Sequence, residues 1–151
     1  MFGFVDVKVP TSNGIYSVSI SRYDENIYAK PILLTIHNIT HNFYTNFCIL
    51  FDSVKFNQIV DSFTMININL LGQEPSSDDL DSNNSYPSYV EIASNVHEIV
   101  QYFSIQEFIG LGVSFSHYFS FIFHFFSFLH SCFVFHFFFE CFLIFFSNLF
   151  E

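Results

Sequence analysis

Between Tyr118 and Phe146 the chain runs YFSFIFHFFSFLHSCFVFHFFFECFLIFF, 29 residues without proline, glycine, lysine or arginine, in which Glu140 is the one fixed charge. No other feature restricts folding so strongly, because that much apolar surface must leave water. As a helix the run would be about 43 Å long, whereas a membrane span needs only ~20 residues. Tyr118–Phe139 is therefore a candidate membrane helix, with Glu140 at its interface. Both flanks lack the basic residues that normally mark a cytoplasmic end, and His124, His130 and His136 are costly inside lipid. A second period competes with the helix. Ser114, Ser116, Ser120, His124, His130, His136 and Glu140 all fall on even positions, the alternation of a strand with one polar face or of an aggregating segment. A third reading is compositional: phenylalanine, serine, histidine, leucine and cysteine dominate, as they do when thymine-rich non-coding sequence is read as codons.

The rest of the chain differs in kind. Of 25 phenylalanines, 16 lie between Phe115 and Phe150. Residues 1–55 balance Lys8, Arg22, Lys30 and Lys55 against Asp6, Asp24, Glu25 and Asp52, so residues 56–151, which hold no lysine or arginine, carry the whole net charge of -10. So negative a surface repels phosphate and excludes nucleic acid as a partner. With 151 residues there is room for one ordinary domain.

Residues 1–71 read as a β-rich region. Val5, Val7 and Val9 alternate with Asp6 and Lys8, Pro10 ends that run, and Thr11-Ser12-Asn13-Gly14 supplies a tight turn. Tyr16, Val18 and Ile20 then alternate with serines, which makes a hairpin. Further strands are expected at Ile32–Ile36, Phe47–Phe51 and Thr64–Leu71; in the last, Ile66, Ile68 and Leu70 alternate with Asn67 and Asn69.

Residues 72–89, GQEPSSDDLDSNNSYPSY, hold too little apolar surface to offset their ordering entropy and read as an acidic flexible loop. Asp79, Asp81 and Asn83 have the spacing of a calcium loop's first ligands, but Asn84 stands where glycine is needed and Val90 where glutamate is needed, so no calcium site is expected. Residues 90–112 then read as two short capped helices. Asn95 and Glu98 form one capping pair ahead of Ile99, Val100 and Phe103; Ser104 and Glu107 form another ahead of Phe108 and Ile109.

The run EIASNVHEIVQYFSIQEFIGLG resembles the closing helix pair of a BTB/POZ domain, with Asn95, Val96, Ile99, Phe103, Ile105 and Phe108 in the matching positions. FNQIVDSFTMININ is similar to the segment that leads into a sheet strand in divergent members. The resemblance covers about residues 47–112 and implies a protein-interaction domain.

Residues able to carry chemistry are sparse. His37 and His41 are four apart, but the intervening Asn38-Ile39-Thr40 reads as loop and no glutamate adjoins either histidine. Cys132, His136 and Glu140 would form one stripe on a helix, better explained as a polar face than as a zinc site. Three cysteines without paired spacing read as free thiols, and MFGFVDVKV is not an export signal. Ser76, three residues ahead of Asp79, has the spacing of an acid-directed phosphorylation site. No catalytic set, cofactor, metal or small-molecule substrate emerges.

The expectation is thus an α+β fold: a β-rich part (1–71), an acidic loop (72–89), a closing helix pair (90–112) and an apolar, helical tail (113–151) with a candidate span at 118–139. The expected function is a non-enzymatic interaction module for an unidentified protein partner, held at a membrane by the tail. The alternatives are a small single-pass membrane protein, or a cytoplasmic domain with a non-functional tail.

Overall fold

The computed structural model describes residues 3–21, 26–51, 61–77, 85–113, 132–135 and 142–148. Its architecture is α+β, built on one mixed sheet.

The hairpin forms as the alternation requires. β1 (Phe4–Thr11) pairs antiparallel with β2 (Gly14–Ser21), setting Val5 opposite Ile20, Val7 opposite Val18 and Val9 opposite Tyr16. Ser12 and Asn13 alone make the turn. Gly14 closes it at φ 149°, where an added Cβ would stand 3.1 Å from the Leu71 side chain. Pro10 does not end β1, which runs on to Thr11.

β3 (Ile32–Ile36) lies inside the sheet and is buried along its whole length. It pairs in parallel with β4 (Thr64–Asn69) on one side and with β5 (Glu107–Val113) on the other, and β2 adds antiparallel to β4. Parallel neighbours need crossovers. α1 (Phe43–Phe51) connects β3 to β4, and α2 (Tyr89–Tyr102) connects β4 to β5. β6 (Cys132–Phe135) and β7 (Phe142–Asn148) extend the far side, giving the order β1-β2-β4-β3-β5-β7-β6.

Each helix covers one face. Ile92, Val96 and Ile99 of α2 are fully buried against Tyr16, Val18, Ile20, Leu34, Ile66 and Ile68, each contributing about 1.5–3 kcal/mol of apolar burial. On the opposite face Phe43 and Phe47, one helical turn apart, pack with Leu33, Met65 and Leu111.

Three expectations are corrected. Phe47–Phe51 lies in α1 and is not a strand; a run that is wholly apolar carries no period to separate the two. The helix expected from Asn95 starts at Tyr89, because Ser88 and Glu91 form the capping box. The second capped helix does not exist: Glu107–Val113 is β5, and Ser104, at φ 52°, sits in the left-handed turn that stops α2. The pair closing the domain at 90–112 is therefore one helix and one strand, and that strand joins the sheet begun by β1–β4. Of the helix expected over 118–139, only Cys132–Phe135 is among the described residues, as strand β6 paired with β7. The remainder of 114–131 and 136–141, and the Asp79-Asp81-Asn83 motif, lie outside the described residues.

Candidate functional site at the carboxyl ends of the parallel strands

From β3 the chain crosses by α1 to β4 on one side, and from β4 it crosses by α2 to β5 on the other. The connections diverge there, and in open α/β sheets the carboxyl ends beside such a divergence are where ligands bind. Here that position is occupied by the segment following Ile36.

His37, the first residue past β3, is fully buried. The Leu70 N–H, at the end of β4, donates to its Nε2 at 3.0 Å, and Nδ1 lies 2.8 Å from the Asn38 carbonyl. Only one tautomer satisfies both: Nδ1 carries the proton and donates, while Nε2 accepts. Burial lowers the imidazole pKa to about 4, the Asn38 carbonyl opposing and His41 adding to the effect. A neutral ring thus ties the ends of β3 and β4 together. His41, by contrast, is exposed.

The rest of the loop is equally engaged. The Asn38 N–H donates to Asn46 Oδ1 at 2.7 Å, fastening the loop to α1. Thr40, at φ 74°, donates its N–H to Gln73 Oε1 (2.9 Å), and Gln73 Nε2 donates to the Tyr86 hydroxyl (3.0 Å). Asn42 caps α1: the Thr45 N–H reaches its Oδ1 and its own N–H reaches Thr45 Oγ1, each at 2.9 Å.

Beneath α1 lies a feature that the alternating pattern concealed. Ser17, Ser19 and Ser21 of β2, Asn67 and Asn69 of β4 and Thr35 of β3 are all buried. Ser19 Oγ donates to Asp6 Oδ1 (2.5 Å), Asn69 Nδ2 reaches Ser19 Oγ (3.2 Å), Asn67 Nδ2 donates to the Ser19 carbonyl (3.0 Å), and Thr35 Oγ1 donates to Asn67 Oδ1 (2.6 Å). Asn69 Oδ1 also accepts from the N–H of Phe43, the first residue of α1. Serine and asparagine at period two signal a polar face, but not whether water or a helix covers it.

At the opposite, amino ends of β3 and β5 an open cleft of about 600 Å³ is lined by residues including Tyr28, Lys30, Ser104 and Glu107. The Tyr28 hydroxyl donates to the Phe103 carbonyl and Lys30 Nζ to the Asp61 carbonyl. Among the described residues no three histidine, cysteine or acidic side chains come together as metal ligands. The side chains of Cys132, His136 and Glu140 lie outside the described residues.

The model of the Ndr family matches residues 6–136, from β1 into the phenylalanine-rich tail. The chain is 27% identical over 105 residues to Protein NDRG2 of Danio rerio, covering 70% of this chain and 28% of that protein. It is 27% identical over 105 residues to Protein NDRG1-B of Xenopus laevis (70% and 26%), and 30% identical over 82 residues to the NDRG-like protein of Dictyostelium discoideum (54% and 25%). The chain thus spans about a quarter of the length of the curated relatives it matches.

These matches overturn two expectations. The BTB/POZ resemblance over 47–112 fails, since Asn95, Val96, Ile99 and Phe103 belong to the α2 end of a crossover and Phe108 to a parallel strand. The membrane anchor over 118–139 does not stand either: the family match runs through it to residue 136, and no helix among the described residues is long and apolar enough to cross a membrane. On a match that covers most of its length, the chain belongs to the Ndr family.

Proposed function

We propose that this chain is a non-enzymatic protein-interaction module of the NDRG type. The observation that carries the reading is His37. The imidazole nearest the divergence of the parallel strands has both ring nitrogens engaged by main chain, and it is held neutral by burial. It has no lone pair free to take a substrate's proton, and among the described residues no carboxylate hydrogen-bonds to it to orient it as a base.

Ndr proteins are α/β-hydrolase-like and are generally regarded as non-catalytic. Hydrolases of that fold carry their nucleophile in G-x-S-x-G after a strand. The corresponding run begins on the last two residues of β5: Gly112-Val113-Ser114-Phe115-Ser116, in which serine replaces the second glycine. With a net charge of -10, the partner we propose is a protein with a basic face, not a nucleic acid or a small anion.

A serine-directed fluorophosphonate probe and a panel of short acyl esters test the reading. The expected result is no covalent labelling and no turnover above buffer. Labelling at Ser114, with ester hydrolysis lost in Ser114→Ala, would overturn it.

A further inference from the structure

We infer that the outer edge of β1 is a self-recognition surface, on which a second copy of this chain docks its own β1 antiparallel about Val7 and carries the sheet across a two-fold axis.

The argument starts at the hairpin. A two-residue loop is closed by a pair that exchanges both main-chain hydrogen bonds, and Thr11 and Gly14 are that pair. Counting back in twos, Val9, Val7 and Val5 bond to β2, so Phe4, Asp6, Lys8 and Pro10 turn their main-chain groups outward. Pro10 fits the assignment, because a residue without an N–H can stand only on the outward side. Among the described residues β1 has a strand on one side only. Its outward residues Asp6, Lys8 and Pro10 are exposed, as is Val5 at 37%.

An open edge of eight residues is a template for another strand, and charges on it decide which strand is accepted. Asp6 and Lys8 give this edge one acid and one base, two residues apart. Antiparallel pairing centred on Asp6 sets Asp6 against Asp6, and pairing centred on Lys8 sets Lys8 against Lys8. Pairing centred on Val7 sets Asp6 against Lys8 of the second copy, twice over, with Val5 facing the second copy's Val9. The two Asp6–Lys8 pairs are also the outward-facing ones, so each exchanges both main-chain bonds. Charge and main chain therefore select the same register. Within one chain Lys8 Nζ already meets Glu74 Oε1 at 3.1 Å, but the lysine side chain remains 58% exposed and can serve a second carboxylate.

The surface joined is one strand deep, so the dimer is weak and salt-sensitive, and the test must read the register as well as the mass. Light scattering after gel filtration of the full chain at low salt reads dimer against concentration. Val7→Cys, mildly oxidised, is expected to give a disulfide-linked dimer whose peptide map joins the introduced thiols of the two copies to each other, whereas Val5→Cys should not link to itself. Lys8→Asp should weaken dimerisation roughly tenfold or more, and Asp6→Lys with Lys8→Asp should restore it. That rescue cannot come from repaired folding, since the double variant regains neither the Ser19–Asp6 nor the Lys8–Glu74 contact. A chain monomeric at every concentration, or one whose dimer is indifferent to Lys8→Asp, would overturn the inference. Indifference would place self-association on another surface, the phenylalanine-rich tail included.

Discussion

Ser12 sits on Glu98: its N–H donates to Oε2 at 2.8 Å and its hydroxyl to Oε1 at 2.7 Å, across 86 residues of sequence. The hairpin tip is thereby clasped to the third turn of α2, and Asn13 Nδ2 reaches Glu91 beside it at 3.4 Å. These contacts fix how the β1–β2 hairpin meets the helix that covers it, beyond what non-directional apolar burial can specify. Glu98→Ala should cost about 1 kcal/mol, read as a lowered urea midpoint with unchanged slope. Ser12→Ala should cost less, because the main-chain donor survives. Equal losses would mean that the hydroxyl, not the amide, carries the clasp.

Glu91 serves the capping box as well. The Ser88 N–H donates to Glu91 Oε2 at 2.7 Å, the Ser88 hydroxyl lies 2.6 Å from the same oxygen, and the Glu91 N–H returns to Ser88 Oγ. The Ser88 hydroxyl, then its N–H, hold the carboxyl below its ordinary value of 4.5. A depressed acid stabilises the fold above that ordinary value and loses its contribution as pH falls through the folded one. Independently of that titration, Ser88→Ala removes the N-cap of α2 and should cost about 1 kcal/mol. Glu91→Gln should flatten the loss of stability below pH 4.5, and an unaltered acid limb in urea titrations would contradict the assignment.

Asn69 joins three elements: its amide reaches Ser17 and Ser19 on β2, and its carbonyl oxygen takes the first N–H of α1. Asn69→Ala should cost about 1–3 kcal/mol, since it strands buried groups that water cannot reach. Asn69→Asp keeps the acceptor and loses the donors, so it should protect the α1 amides but not β2. Hydrogen exchange resolved by residue distinguishes the two.

How much of this was legible varied with how each element is buried. Half-buried β1, and β2 with one apolar and one serine-lined face, show strict alternation and a turn of turn-forming residues, and β3 is short, apolar and bounded by Pro31. β5 is covered on both faces, so Phe108, Ile109 and Leu111 show no period, and Ser104 with Glu107 imitates a helix cap. Asn95 and Glu98 have cap spacing too, but Ser88 and Glu91 have it seven residues earlier, with Pro87 before them to favour an extended approach. Buried inside α2, Asn95 donates instead to the Tyr16 hydroxyl at 3.0 Å, a partner 79 positions away that no local pattern reveals. The serines and asparagines beneath α1 and the imidazole of His37 escaped for the same reason. A polar side chain does not announce whether its partner is water or a distant strand.

His37 gives the last prediction, because its protonation state is bound to the fold. Its folded pKa of about 4 lies below the ordinary 6.5, so the unfolded chain binds the proton more tightly. Stability contributed by the neutral ring is full above pH 6.5 and declines as pH falls toward 4, below which the difference is constant. The gap corresponds to about 3 kcal/mol at most. Unfolding midpoints measured from pH 7.5 to pH 4 should fall steadily in the wild type. His37→Gln can still accept from the Leu70 N–H but does not titrate, so it should be less stable at pH 7.5 and nearly flat across that window. Nitrogen chemical shifts of the ring provide the direct check: Nε2 should report a bare acceptor nitrogen down to about pH 5. A protonated Nε2 at pH 6 would show that the ring is not locked by Leu70, and the reading of this residue as a neutral tie between β3 and β4 would fall with it.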